Sequence, residues 1–125
     1  MARILLIEDN APLLAMERAV LTAAGHEVVP ATNGKEALLI FADASFDLVV
    51  TDVVMPEKDG LETISHLRRK YPTLKIIAVS GGGRVEAGDY LVMARKLGAA
   101  QTLAKPFTGE QLIKAVDKVL RSSRA

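Results

Sequence analysis

Apolar positions along the chain fall into two patterns that take turns. Short continuous apolar runs alternate with stretches where apolar residues recur every three or four positions. Runs of that length predict strands, and the three-to-four spacing predicts amphipathic helices. Residues 3–8 form the first run. A helix follows over 12–24, with Pro12 tolerated in its first turn and Gly25 as its stop. Residues 27–31 read as a second strand, where Pro30 suits an edge position. Asn33 caps a helix reaching about Phe41, with Glu36 three residues on as in a capping box. The third strand is expected over 46–51, and its apolar run Leu48–Val50 predicts burial on both faces.

A helix over 61–70 stops before Pro72, and residues 74–79 form the fourth strand. Tyr90, Met93, Ala94 and Leu97 share one face of a fourth helix, which Gly98 ends. Residues 102–104 make a short fifth strand. Thr108 and Gln111 open a last helix with Leu112, Val116 and Val119 on one face. Strand and helix thus alternate five times. That order predicts an α/β fold: a doubly wound parallel sheet of flavodoxin-like (βα)5 type, with strand order 2-1-3-4-5. One domain is expected over 1–121, with a frayed tail at 122–125 and no second domain after the fifth helix.

In open sheets of this kind, ligands bind beyond the carboxyl ends of the strands, at the switch in strand order. The residues ending the runs therefore matter. The first run ends at Glu8 and Asp9, the third at Thr51 and Asp52, the fourth at Ser80, and the fifth at Lys105 before Pro106. Three carboxylates, a hydroxyl and an ammonium would share one pocket. Carboxylates that close need a cation, and Mg²⁺ suits an oxygen donor set. The cation and ammonium can hold phosphoryl oxygens, and one carboxylate can be the nucleophile.

Composition narrows the alternatives. The chain has 125 residues, half of them hydrophobic, and a net charge of +1 from 16 basic and 15 acidic residues. No nucleic-acid or membrane footprint is expected from that balance. The basic clusters at 68–70 and 121–124 read as solvated helix ends. Without cysteine, disulfides and thiolate chemistry are excluded, and His26 and His66 lie in different elements. No apolar stretch approaches the length of a membrane span. A cytoplasmic protein is expected.

The ordered set Ile7-Glu8-Asp9, Thr51-Asp52-Val53-Val54-Met55-Pro56, Asp59-Gly60, Val79-Ser80-Gly81 and Lys105-Pro106-Phe107 resembles the receiver domain of bacterial two-component response regulators. The resemblance spans essentially the whole chain. It implies Asp52 as phosphoacceptor from a phosphohistidine or a small acyl phosphate. It implies Mg²⁺ held by Asp9, Asp52 and the Val54 carbonyl, with Glu8 acting through water. Ser80 and Lys105 would bind phosphoryl oxygens, Lys105 would pair with Asp52 beforehand, and the Lys105–Pro106 peptide would be cis. A histidine kinase or histidine phosphotransfer protein is the implied donor, with an unidentified protein as target.

Two departures stand out. Thr102 occupies the position where the family carries a Tyr or Phe switch residue. Gly81, Gly82 and Gly83 open an unusually long segment after Ser80, assigned here to the switch region, with mobility expected over 81–88. An output switch and a phosphorelay intermediate carrier are both compatible with the sequence. An aspartate-nucleophile phosphatase would need a second acid two residues after Asp52, where Val54 stands. A nucleotide-binding relative would need a phosphate-cradling loop, and residues 8–12 are acidic and glycine-free.

Overall fold

The computed structural model describes residues 2–42, 45–52, 60–80, 92 and 94–121. Five parallel strands form one sheet in the order β2-β1-β3-β4-β5. They are β1 (Arg3–Ile7), β2 (Glu27–Ala31), β3 (Leu48–Asp52), β4 (Lys75–Ser80) and β5 (Gln101–Ala104). The helices are α1 (Ala11–Ala23), α2 (Gly34–Ala42), α3 (Gly60–Lys70) and α5 (Gly109–Arg121). Helical residues 92 and 94–96 belong to α4. The expected sheet order is observed. Pro30 lies on β2, an edge strand, where its missing N–H removes no ladder bond from the interior.

Two apolar layers sandwich the sheet, and strand alternation sorts residues between them. Leu5, Ile7, Val49, Ile76 and Ala78 pack with Ala37, Phe41, Ile64, Leu67 and Ala94 of α2, α3 and α4. Ile4, Leu6, Leu48, Val50, Ile77 and Val79 pack with Leu21 of α1 and with Leu112, Val116 and Val119 of α5. Every residue of β3 is buried, as its unbroken apolar run requires of a central strand covered on both faces.

Caps fix where the helices start. Thr108 and Gln111 bond reciprocally, with Gln111 N donating to Thr108 Oγ1 at 3.0 Å and Thr108 N to Gln111 Oε1 at 2.8 Å. Asn33 Oδ1 accepts from Glu36 N, but the Glu36 carboxylate reaches past Asn33 to Thr32 N. For α1 the cap is Asn10, whose Oδ1 accepts from Leu13 N at 2.9 Å, so the helix begins one residue before Pro12. β3 starts at Leu48, two residues later than expected and at the first residue of the apolar run after Asp47; Phe46 lies before it, its ring tilted against Phe41 at 5.5 Å between centroids.

Candidate functional site

The strand register brings the polar run ends to one edge. Ile7 pairs with Thr51, so Glu8 stands level with Asp52 on the neighbouring strand. Asp52 pairs with Val79, and Ser80 pairs with Ala104. Lys105 follows β5 and donates its backbone N–H to Ser80 O at 2.8 Å. Its peptide with Pro106 is cis. Alternation carries Glu8 and Asp52 onto the face covered by α1 and α5, and Ser80 onto the opposite face.

One ammonium links two of the acids. Lys105 Nζ lies 2.9 Å from Asp52 Oδ2 and 3.0 Å from Glu8 Oε1. The second Glu8 oxygen accepts from Asn10 N at 3.2 Å. Glu8 and Asp52 are buried, while Asp9 is exposed at the rim. Burial pushes the Glu8 carboxyl up to about 7; the Asp52 charge adds to this, and Lys105 and Asn10 work against it. For the Lys105 ammonium, burial works downward, but the Asp52 and Glu8 carboxylates outweigh it and leave the group above its ordinary 10.5.

Carboxylate oxygens of Glu8, Asp9 and Asp52 lie within 4.8 Å of one another. An all-oxygen donor set of three carboxyl groups against one ammonium fits a hard divalent cation. Asp9 and Asp52 offer direct ligands. Both Glu8 oxygens already accept hydrogen bonds, which favours an indirect role for Glu8. Val54, Gly81, Gly82 and Gly83, and the whole segment 81–88, lie outside the described residues.

Ser80 is fully buried, and its hydroxyl has no hydrogen-bond partner. An unsatisfied buried hydroxyl costs about 1–3 kcal/mol. The neighbouring Thr51 hydroxyl, also buried, is spent on the Asp52 carbonyl at 3.1 Å. Thr102 sits in β5 and lines a cavity of about 340 Å³ with Val92, Arg95 and Lys96 of α4. His26 takes no part in the site: its Nδ1 accepts from Ala2 N at 3.1 Å, beside the start of β1.

Sequence reasoning passed over two features. The bond between Lys105 and Glu8 is one, since nothing in a linear motif says which of two acids an ammonium will share. The other is Glu17 of α1, which is buried. A signal for it existed: Asn10, Leu14, Glu17 and Leu21 recur at helical spacing, which puts Glu17 on the inward stripe.

The sequence matches the family described as response regulator receiver domain over residues 4–117. It is 34% identical over 118 residues to chemotaxis protein CheY of Thermotoga maritima, covering 94% of this chain and 96% of that protein. It is 33% identical over 123 residues to transcriptional regulatory protein CpxR of Escherichia coli, covering 98% of this chain but about half (51%) of CpxR. Among solved structures, chemotaxis protein CheY4 of Vibrio cholerae superposes with a TM-score of 0.85 at 31% identity, covering 95% of this chain and 98% of that one. NtrX of Brucella abortus gives a TM-score of 0.90 at 27% identity, over 98% of this chain and 27% of that one.

Proposed function

The chain belongs to the response regulator receiver domain family, and from that premise we propose that it accepts a phosphoryl group on Asp52 and signals through contacts with other proteins. The observation that carries this reading is the Lys105 ammonium, held by Asp52 inside a cluster of three carboxylates. Such an arrangement sets a nucleophilic carboxylate beside a cation that can follow the incoming group.

In the proposed reaction, an Asp52 oxygen attacks phosphorus of a phosphohistidine or acyl phosphate. The new O–P bond forms as the bond to the donor nitrogen or oxygen breaks, and the donor keeps the electron pair. Asp9 and Asp52 would hold Mg²⁺ with the Val54 carbonyl, and Glu8 would reach it through water. When bound, that ion neutralises charge on the phosphoryl oxygens. Lys105 offers a charge-assisted hydrogen bond to one of those oxygens. The Ser80 hydroxyl, buried without a partner, has a free proton for another.

The product carries nearly two negative charges where the Asp52 carboxylate carried one, and it adds three strong acceptor oxygens. Lys105 then has a stronger acceptor than Asp52 or Glu8, and Ser80 acquires one. Both lie on backbone that pairs directly, Lys105 N to Ser80 O, so a shift of either strains β4 against β5. Residues 1–121 would form the receiver unit, and a histidine kinase or histidine phosphotransfer protein would be the donor. The near-neutral net charge of +1 gives no footprint for nucleic acid. Among the described residues, no helix is long and apolar enough to cross a membrane. A cytoplasmic location follows from the proposed donors.

Localising the group tests the assignment. After treatment with acetyl phosphate and Mg²⁺, fragment masses should place one phosphoryl group on the peptide carrying Asp52. A phosphoryl group found on any other segment contradicts it.

A further inference from the structure

A fourth buried carboxyl group, which the proposed reaction does not use, lies on the face of the sheet toward which Glu8 and Asp52 project. Glu17 of α1 is 1% exposed, and its Oε2 is buried without a hydrogen-bond partner. It sits on the inward stripe of α1 between Leu14 and Leu21. Those two leucines pack in the layer that also holds Leu103 and Phe107, the residues flanking Lys105. Strand alternation turns Glu8 and Asp52 toward the same layer. Glu17 therefore lies on the side of the sheet into which the whole Lys105–Asp52–Glu8 group projects.

An ionised carboxylate with no partner is the costly form in such a place, and the neutral acid is the form it favours. Burial pushes Glu17 up to about 8; Glu8 and Asp52 push the same way, and Lys105 opposes them. Among the described residues, these are the charged groups that act on it, from the ends of β1 and β3 and the turn after β5. No charged residue of β2, α5 or α1 itself contributes.

We propose that Glu17 is a positioning residue of the phosphoryl site, a proton-carrying acid whose ionisation follows the charge held in the pocket and which acts on the phosphoryl group through Lys105. The second half rests on the phosphoacceptor reading; the link between Glu17 and pocket charge stands without it. While neutral, Glu17 leaves the ammonium to Asp52 and Glu8. When its O–H bond ionises, the proton goes to solvent and no other covalent bond changes. The new charge then draws on Lys105 and opposes the phosphoryl dianion. The phosphorylated fraction should fall as pH rises through the Glu17 titration. A glutamine there, which cannot ionise, should flatten that fall.

The test is a carbon-13 carboxyl NMR titration of the full chain without added cation, with Glu17→Gln assigning the resonance. Glu17 should titrate well above the ordinary carboxylate range. Its midpoint should drop in Asp52→Asn, which removes a negative neighbour, and rise in Lys105→Ala, which removes the positive one. Each move should amount to about a threefold change in proton affinity or more. In separate samples with Mg²⁺, the phosphorylated fraction under acetyl phosphate is followed from about pH 6 to pH 9 in wild type and Glu17→Gln. An ordinary midpoint, or one unmoved in both variants, overturns the linkage. Superimposable pH profiles of wild type and Glu17→Gln overturn the positioning role. If wild type takes no phosphoryl group at any pH, the phosphoacceptor reading and the positioning role both fall, and the titration alone judges the linkage.

Discussion

The Lys105 ammonium donates to Asp52 Oδ2 at 2.9 Å, and from the same nitrogen to Glu8 Oε1 at 3.0 Å. A single cation thus joins buried carboxylates at the ends of two adjacent strands. Truncating it leaves both acids with their repulsion and removes the donor proposed for the phosphoryl group. Lys105→Ala should keep the fold, by circular dichroism, and lower the initial rate of phosphoryl uptake roughly 10- to 100-fold, the worth of one charge-assisted hydrogen bond. An unchanged rate in a folded variant would make the pairing dispensable.

Ser80 makes the opposite demand before and after modification. Its buried hydroxyl lacks a partner in the unmodified protein. Ser80→Ala should therefore leave the unmodified fold unchanged or more stable, by up to about 1 kcal/mol in urea unfolding. The same variant should accumulate less phosphorylated protein at steady state. Destabilisation of the unmodified form would mean that the hydroxyl is already satisfied.

Stability should depend on pH in a definite direction. The folded state raises Glu17 from its ordinary 4.5 to about 8 and Glu8 from 4.5 to about 7. The folded protein therefore binds more protons than the unfolded chain between those limits. The stability these groups supply is fully present below about pH 4.5 and is lost as pH rises through 7 and 8. For Glu17 the change amounts to a few kcal/mol. Unfolding without divalent cations should show that decline, and Glu17→Gln should make it shallower. A stability that climbs with pH over this window, or an equal decline in the variant, would refute it.

Two glycines with positive φ separate backbone strain from crowding. At Gly25 (φ +99°) an added Cβ meets open space, whereas at Gly98 (φ +120°) it would approach Arg68 Nε to 2.6 Å. The Arg68 guanidinium there donates to the Gly98 carbonyl at 2.8 Å and the Pro72 carbonyl at 2.6 Å, tying the end of α3 to the turn before β5. Gly25→Ala should cost about 1 kcal/mol from its backbone conformation alone. Gly98→Ala should cost measurably more in the same thermal or urea unfolding series. Equal losses would show that Arg68 yields freely.

Much of the fold was legible because local signals agreed with one another. The 27–31 run is the observed β2, Pro30 marked it as an edge, and the Thr108/Gln111 pair marked the start of α5. The run ends Glu8, Asp9, Asp52, Ser80 and Lys105 could be gathered at one sheet edge once a parallel sheet was assumed, because parallel strands point their ends one way. What stayed hidden depended on three-dimensional choices. That Asn10 caps α1 and starts it at Ala11, one residue before the expected Pro12, is decided by one residue of helix phase. Sharing of Lys105 between Asp52 and Glu8 depends on strand register. Glu17 was overlooked because a glutamate on a helix ordinarily faces water, and only the spacing from Leu14 to Leu21 says otherwise.

The central claim is that Asp52 is the nucleophile of a cation-assisted phosphoryl transfer. Intact mass after incubation with acetyl phosphate measures this most directly, in wild type with Mg²⁺, in wild type with the cation chelated, and in Asp52→Asn with Mg²⁺. The account predicts the gain of one phosphoryl group in the first sample and none in the other two. Equal labelling of Asp52→Asn, or no labelling of wild type with Mg²⁺ present, would contradict it.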